Sequence, residues 1–102
     1  MQGMATMHRF SANVWLYPGE TASWHFMTVP KALSLKLKAK HGANARGWGS
    51  LPVEVSIGKT RWTTSIFPDA KSGTYLLPLK ASVRHAEDLM DGDAATVSLS
   101  LR

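Results

Sequence analysis

The chain has no cysteine, which excludes disulfides, thiolate metal sites and a cysteine nucleophile, and suits a reducing compartment. It has no apolar run approaching the ~20 residues that a membrane-spanning helix needs. Its opening residues, MQGMATMHRF, lack the apolar core of an export signal, so a cytoplasmic protein is expected. No carboxylates are paired for general acid–base work. The histidines His8, His25, His41 and His85 show no metal-ligand spacing, so neither a metal nor another cofactor is expected, and His85 with Asp88 reads as a surface pair.

Acid is missing where it matters most. Between Glu20 and Glu54 there is no Asp or Glu, yet Lys31, Lys36, Lys38, Lys40 and Arg46 fall in that gap. Residues 1–48 carry six basic side chains and one acid, residues 49–102 carry six of each, and the net charge is +5. A field of this kind favours anionic ligands or polyanions. A solvated lysine-rich face would show the same pattern.

What is present describes one globular domain. The chain has 102 residues, 44% of them hydrophobic and 19% charged, enough for a single modest core. Residues 1–7 show no periodicity and are expected to be loose; 8–102 form the domain. Phe10, Ala12, Val14 and Leu16 alternate with polar or amphipathic residues, a strand pattern. Tyr17-Pro18-Gly19-Glu20 is a turn, and Ser23 to Val29 (SWHFMTV) is the second strand of a hairpin. Leu51, Val53, Val55 and Ile57 share one strand face. Gly58-Lys59 is a two-residue turn, Thr60 to Phe67 follows as a strand, and Thr74 to Leu79 is another. Pro78 within it implies an edge or strand-end position. Lys80 to Met90 shows helical spacing at Val83, Ala86 and Met90, and Ala95, Val97, Leu99 and Leu101 alternate as the last strand.

Residues 31–40 are ambiguous. Leu33, Leu35 and Leu37 alternate with lysines, whereas Leu33 with Leu37 and Lys36 with Lys40 pair at helical spacing. An internal repeat decides for helix, with Pro30 at its start and Gly42 as its stop. Strand–strand–Pro–helix–strand occurs twice: Val29-Pro30 precedes Val55-Ser56-Ile57, and Leu77-Pro78 precedes Val97-Ser98-Leu99. Two ββαβ halves in about a hundred residues predict a mainly β, pseudo-twofold closed barrel of about six strands with two short helices.

Arg46-Gly47-Trp48-Gly49-Ser50, Val53 to Gly58, the run Trp62 to Pro68, Tyr75 to Lys80, Val83-Arg84 and Gly92-Asp93 together resemble the domain of unknown function 1905 family. The resemblance extends from the Val14-Trp15 strand onward. It implies a double-split β-barrel, related in fold to AbrB/MazE-type proteins. Those build the barrel from two chains, whereas here both halves lie in one, so a monomer is expected. The resemblance implies no activity.

The candidate sites follow from chemistry. Gly42 and Gly47 have phosphate-loop spacing, but Trp48 stands where a lysine must reach the phosphates. These glycines instead turn the chain tightly into the next strand and seat Trp48 beside the backbone. Thr64 and Ser65 with His25 or His85 would be an acyl-transfer set, but no orienting acid accompanies them; a small hydrolase is the least favoured reading and no catalytic residue is assigned. Thr63 and Ser65 share one strand face, with Trp62, Thr64 and Ile66 on the other. Arg46, Trp48, Arg61, Trp62, Ser65, Tyr75, Lys80 and Arg84 are the candidates for a cleft with aromatic walls and cations, Lys80 and Arg84 forming an i,i+4 clamp. Structural roles for the aromatics stand beside that reading. The expectation is a non-enzymatic binding domain for an anionic small ligand. The alternative is nucleic-acid binding through Lys31, Lys36, Lys38, Lys40 and Arg46.

Overall fold

The computed structural model describes residues 6–18 and 23–102. Five of the seven residues expected to be loose at the N-terminus, and the tip of the turn expected at Tyr17-Pro18-Gly19-Glu20, lie outside them. The elements in order are β1 (His8–Pro18), β2 (Ser23–Thr28), α1 (Lys31–His41), β3 (Leu51–Ile57), β4 (Thr60–Asp69), β5 (Thr74–Pro78), α2 (Ala81–Ala86) and β6 (Ala94–Leu101). Two short 3-10 turns, Gly42–Asn44 and Gly47–Gly49, connect α1 to β3.

The strands close into a barrel in the order β1-β2-β5-β4-β3-β6, with β6 returning to β1. Every neighbouring pair is antiparallel. Closure leaves none of these strands as a bare edge. The alternation seen in β3 is the reason it can close: Leu51, Val53, Val55 and Ile57 all point inward. Phe10 and Val14 from β1, Met27 from β2, Trp62 and Ile66 from β4, Leu77 from β5, and Val97 and Leu99 from β6 complete the interior. Leu16 continues the inward phase of β1 in sequence but is exposed, because the strand by then runs past the core.

The repeat is real, and its axis can be placed from hydrogen bonds. Met27 stands directly opposite Leu77, and Ser56 opposite Ser98. The bond from Val29 N–H to Tyr75 O (2.9 Å) is repeated by Leu79 N–H to His25 O (2.9 Å). A half-turn therefore lays β2 on β5 with Met27 on Leu77, and β3 on β6 with Ser56 on Ser98. It lays the Trp15–Phe26 pair on the Phe67–Leu76 pair, so Phe10 falls on Trp62 and His8 on Thr60.

This corrects one alignment read from the sequence. Ser56 and Ser98 are equivalent as expected, but Val29-Pro30 falls on Leu79-Lys80, two residues beyond Leu77-Pro78. Both helices start after an extended residue, Pro30 (φ −53, ψ 148) or Lys80 (φ −72, ψ 159). Only the backbone shape is repeated, so the two prolines mark different places. Pro78 ends β5, opposite Phe26 and beyond the last β4 partner, where its missing N–H leaves no gap in the ladder.

The helices differ from expectation at their ends. α2 stops at Ala86 rather than Met90: Asp88 turns left-handed (φ 54) and Met90 is exposed, so the Val83–Ala86–Met90 spacing is not a buried face. Gly42 does cap α1, but in right-handed conformation (φ −59, ψ −33). The chain therefore runs on into the first 3-10 turn instead of reversing. Each helix is pinned at the same place under the half-turn. In α1, the buried Ser34 Oγ donates to Val29 O and accepts from Tyr75 N–H, both at 3.0 Å. In α2, Arg84 Nε donates to Leu79 O at 3.2 Å. Among the described residues no helix is long and apolar enough to cross a membrane.

Candidate functional site

The eight residues proposed from sequence are spread over the molecule. Trp62 and Tyr75 are buried in the barrel, and burial pushes the Tyr75 phenol up from its ordinary pKa. Ser65 is half-buried opposite Pro52, and among the described residues it has no hydrogen-bonded base. Arg61 faces Glu54 at 3.7 Å on the exposed outer face, a pair worth little in solvent. Arg84 is engaged with the Leu79 carbonyl, so the Lys80–Arg84 clamp is half committed to holding α2. Lys80 joins Trp62, Trp24 and His25 around a depression of about 120 Å³, and the Nδ1 of His25 is buried there without a partner. Arg46 lies elsewhere, with His41, Asn44 and Arg102 around a hollow of about 350 Å³.

Trp48 is a correction. Rather than packing beside the backbone, it is 93% exposed and left-handed (φ 65) at the tip of its turn. The constraint falls on Gly49 instead: at φ +78, an added Cβ would stand 3.0 Å from Pro68 Cγ. Gly49→Ala is expected to cost about 1–2 kcal/mol from the left-handed backbone alone, read as a lower denaturant midpoint.

One wide concavity uses none of the eight. It is a groove of about 780 Å³ on the outside of β1, β2, β5 and β4, lined by Trp15, Tyr17, Trp24, Phe26, Phe67, Leu76 and Pro78, with Asp69 and Lys71 at the margin. The pleat builds it: Trp15 stands opposite Phe26 and Tyr17 opposite Trp24, so the four rings share one face. Trp15 and Phe26 lie with ring centroids 5.2 Å apart, and Trp15 Nε1 donates to Thr28 Oγ1 at 2.9 Å, which fixes the floor. Tyr17 (56%), Trp24 (57%) and Phe67 (41%) stay open to solvent. The signal was there to read. Trp15-x-Tyr17 and Trp24-x-Phe26 place large rings on the outward phase of their strands, where polar residues are the rule.

A second surface gathers the acid-free stretch. Lys36, Lys38 and Lys40 are exposed on α1, whereas Lys31 Nζ is engaged with Ser72 O at 2.8 Å. Lys40 and His41, at the end of α1, stand beside His8. Burial first, then the charges of Lys36 and Lys40 and the nearby His41, hold the His8 imidazole below its ordinary pKa. Thr6, His8, Lys40, His41 and Leu101 enclose a cavity of about 150 Å³. It shares His41 and Leu101 with the Arg46–Arg102 hollow, and among the described residues no Asp or Glu side chain lines either one.

A closed six-stranded antiparallel barrel made of two ββαβ halves from one chain is the class of protein this fold defines. The chain belongs to the family described as Domain of unknown function (DUF1905), whose sequence profile matches residues 10–99. No curated protein matches the chain.

Proposed function

We propose that this is a non-enzymatic, cytoplasmic binding domain that seats the flat apolar body of an anionic small ligand in the outer aromatic groove. The groove carries this reading. Its volume falls within the roughly 300–1,000 Å³ of small-molecule sites, and apolar walls with few polar groups are the usual make-up of such sites. Exposing three aromatic rings on one sheet face costs hydrophobic free energy that a ligand would recover. The charge preference comes from the ends. Lys71 stands at one margin, and Trp24 and Pro78 are shared with the depression that holds Lys80. Asp69 repels anionic groups nearby, so the ligand's charge belongs at the Lys80 end.

Naphthoate and its cationic analogue, naphthylmethylamine, test this by tryptophan fluorescence. Naphthoate is expected to quench saturably, and the amine to bind less well. Trp24→Ala should weaken binding by about tenfold, the worth of one stacked ring of 1–1.5 kcal/mol. An unchanged affinity in Trp24→Ala, or no saturable quench, overturns the reading. Both barrel halves come from one chain, so the binding unit is the monomer; a dimer mass by light scattering would contradict this.

A second reading, nucleic acid, is favoured by one observation: Lys40, His41, Arg46 and Arg102 line two hollows that share His41 and Leu101, with no Asp or Glu among their described lining. Anisotropy titration with single- and double-stranded DNA should then show binding near ~50 mM salt that falls steeply as salt rises.

A further inference from the structure

The half-turn that relates the two halves of the barrel also relates two chemically opposite ends. In the second half, Thr60 Oγ1 donates to Glu87 Oε2 at 2.6 Å. The same carboxylate lies directly against Gly58, whose left-handed backbone (φ +57) and missing side chain leave room for it. A carboxylate of the chain itself thus closes that end. In the first half, His8 takes the place of Thr60 and Thr6 that of Gly58. Leu37, a fully buried apolar residue, stands where Glu87 stands. Here Thr6 and His8 line a cavity of about 150 Å³ together with Lys40, His41 and Leu101, and among the described residues no acidic side chain lines it. His8 is 8% exposed, and among the described residues its imidazole makes no hydrogen bond.

We propose that this cavity, between the start of β1 and the last turn of α1, is an oxyanion site. It takes the phosphate- or sulfate-type group of an external ligand at the position where the opposite half uses its own Glu87. The size fits one tetrahedral oxyanion. The donors are of the right kind: the Lys40 ammonium, two imidazoles and the Thr6 hydroxyl line the cavity and together give charge-assisted hydrogen bonds. The site uses no residue of the aromatic groove.

Protonation links to binding with a definite sign. The groups of α1 that act on His8 are Lys40 and His41, which line the cavity, and the more distant Lys36 charge; β6 presents Leu99 and Leu101. With the cavity free of anion, burial and these cations disfavour the imidazolium. An oxyanion reverses the balance, so binding takes up a proton and tightens as pH falls below the ordinary histidine value.

Sulfate, whose charge does not change between pH 7.5 and 5.5, is the probe. The measurement is a titration of the full chain followed by NMR of the His8 ring and of the Thr6, Lys40 and His41 amides. Saturable shifts centred on these residues are expected, with affinity about tenfold higher at pH 5.5. Lys40→Ala should weaken binding by about tenfold, the worth of one charge-assisted hydrogen bond. His8→Asn should keep the fold and lower the pH dependence, leaving only what His41 contributes. Trp24→Ala should change nothing, which separates this site from the groove. Unsaturable shifts spread over all lysines, or unchanged affinity in Lys40→Ala, overturn the proposal. Competition identifies the source of the group. Displacement of sulfate by a phosphate monoester alone points to a small phosphorylated ligand, and displacement by a single-stranded oligonucleotide as well points to a nucleic-acid backbone. If neither displaces it, sulfate is no stand-in for a ligand and the proposal fails.

Discussion

Trp62→Ala is expected to lower the free energy of unfolding by about 3–5 kcal/mol, the largest loss of any single change considered for this barrel. Trp62 lies on the inward face of β4 opposite Val55, and only 7% of it is exposed. Its counterpart under the half-turn is Phe10, so two of the buried rings of the interior are related by the axis. A closed barrel of six strands has little freedom to collapse around a missing indole, because each strand is hydrogen-bonded on both sides. The void therefore persists, and its lining loses contacts that no rearrangement restores. Urea unfolding should show a lower midpoint with an unchanged slope. Trp62→Phe should recover most of the loss. A loss below ~1 kcal/mol for the alanine variant would mean that the indole is not the filler of the core.

Ser34→Ala removes one oxygen atom and is expected to cost about 1–3 kcal/mol. The magnitude comes from what is left behind. The Ser34 hydroxyl is the partner of both the Val29 carbonyl and the Tyr75 amide, and all three residues are buried. Alanine leaves a backbone donor and acceptor unpaired away from water, so the desolvation penalty of each is paid without return. The same change should speed hydrogen exchange at the Tyr75 amide, since that N–H loses its acceptor. Arg84→Met, at the related position in α2, should cost less: Arg84 is half-buried, and water can reach the freed carbonyl more readily. An alanine variant with native stability and unchanged Tyr75 exchange would show that α1 is held by Leu37 alone.

The two sites differ in how far the sequence reveals them. The acid-free run from Lys31 to Arg46 is plain in the sequence, and it supplies Lys36, Lys40 and Arg46 to the basic end. His8 is not plain, because it joins them only when β1 returns beside β6 under the last turn of α1. The aromatic groove was overlooked for a different reason. Reading β1 and β2 for their inward faces accounts for Phe10, Val14 and Met27 and leaves the outward rings of Trp15, Tyr17, Trp24 and Phe26 without a role. Conversely, Trp62 and Tyr75 look like cleft walls in a list of aromatics near cations. The phase of their strands puts them inside.

Local chemistry was enough to determine the elements. Period-two alternation in residues 51–57 and 94–101, the glycine turn at Gly58, and the twice-used ββαβ order lead directly to a barrel in one chain. Those features depend on neighbours within a few residues. Only the tertiary structure decided the register of the repeat, which hydrogen bonds across the axis place at Met27–Leu77. It likewise decided the shortening of α2 and the outward turn of Trp48. It also decided that two ends related by symmetry differ in chemistry, one closed by Glu87 and the other lined by His8, Lys40 and His41. Such juxtapositions depend on residues far apart in the chain meeting through closure, and no spacing along the sequence encodes them.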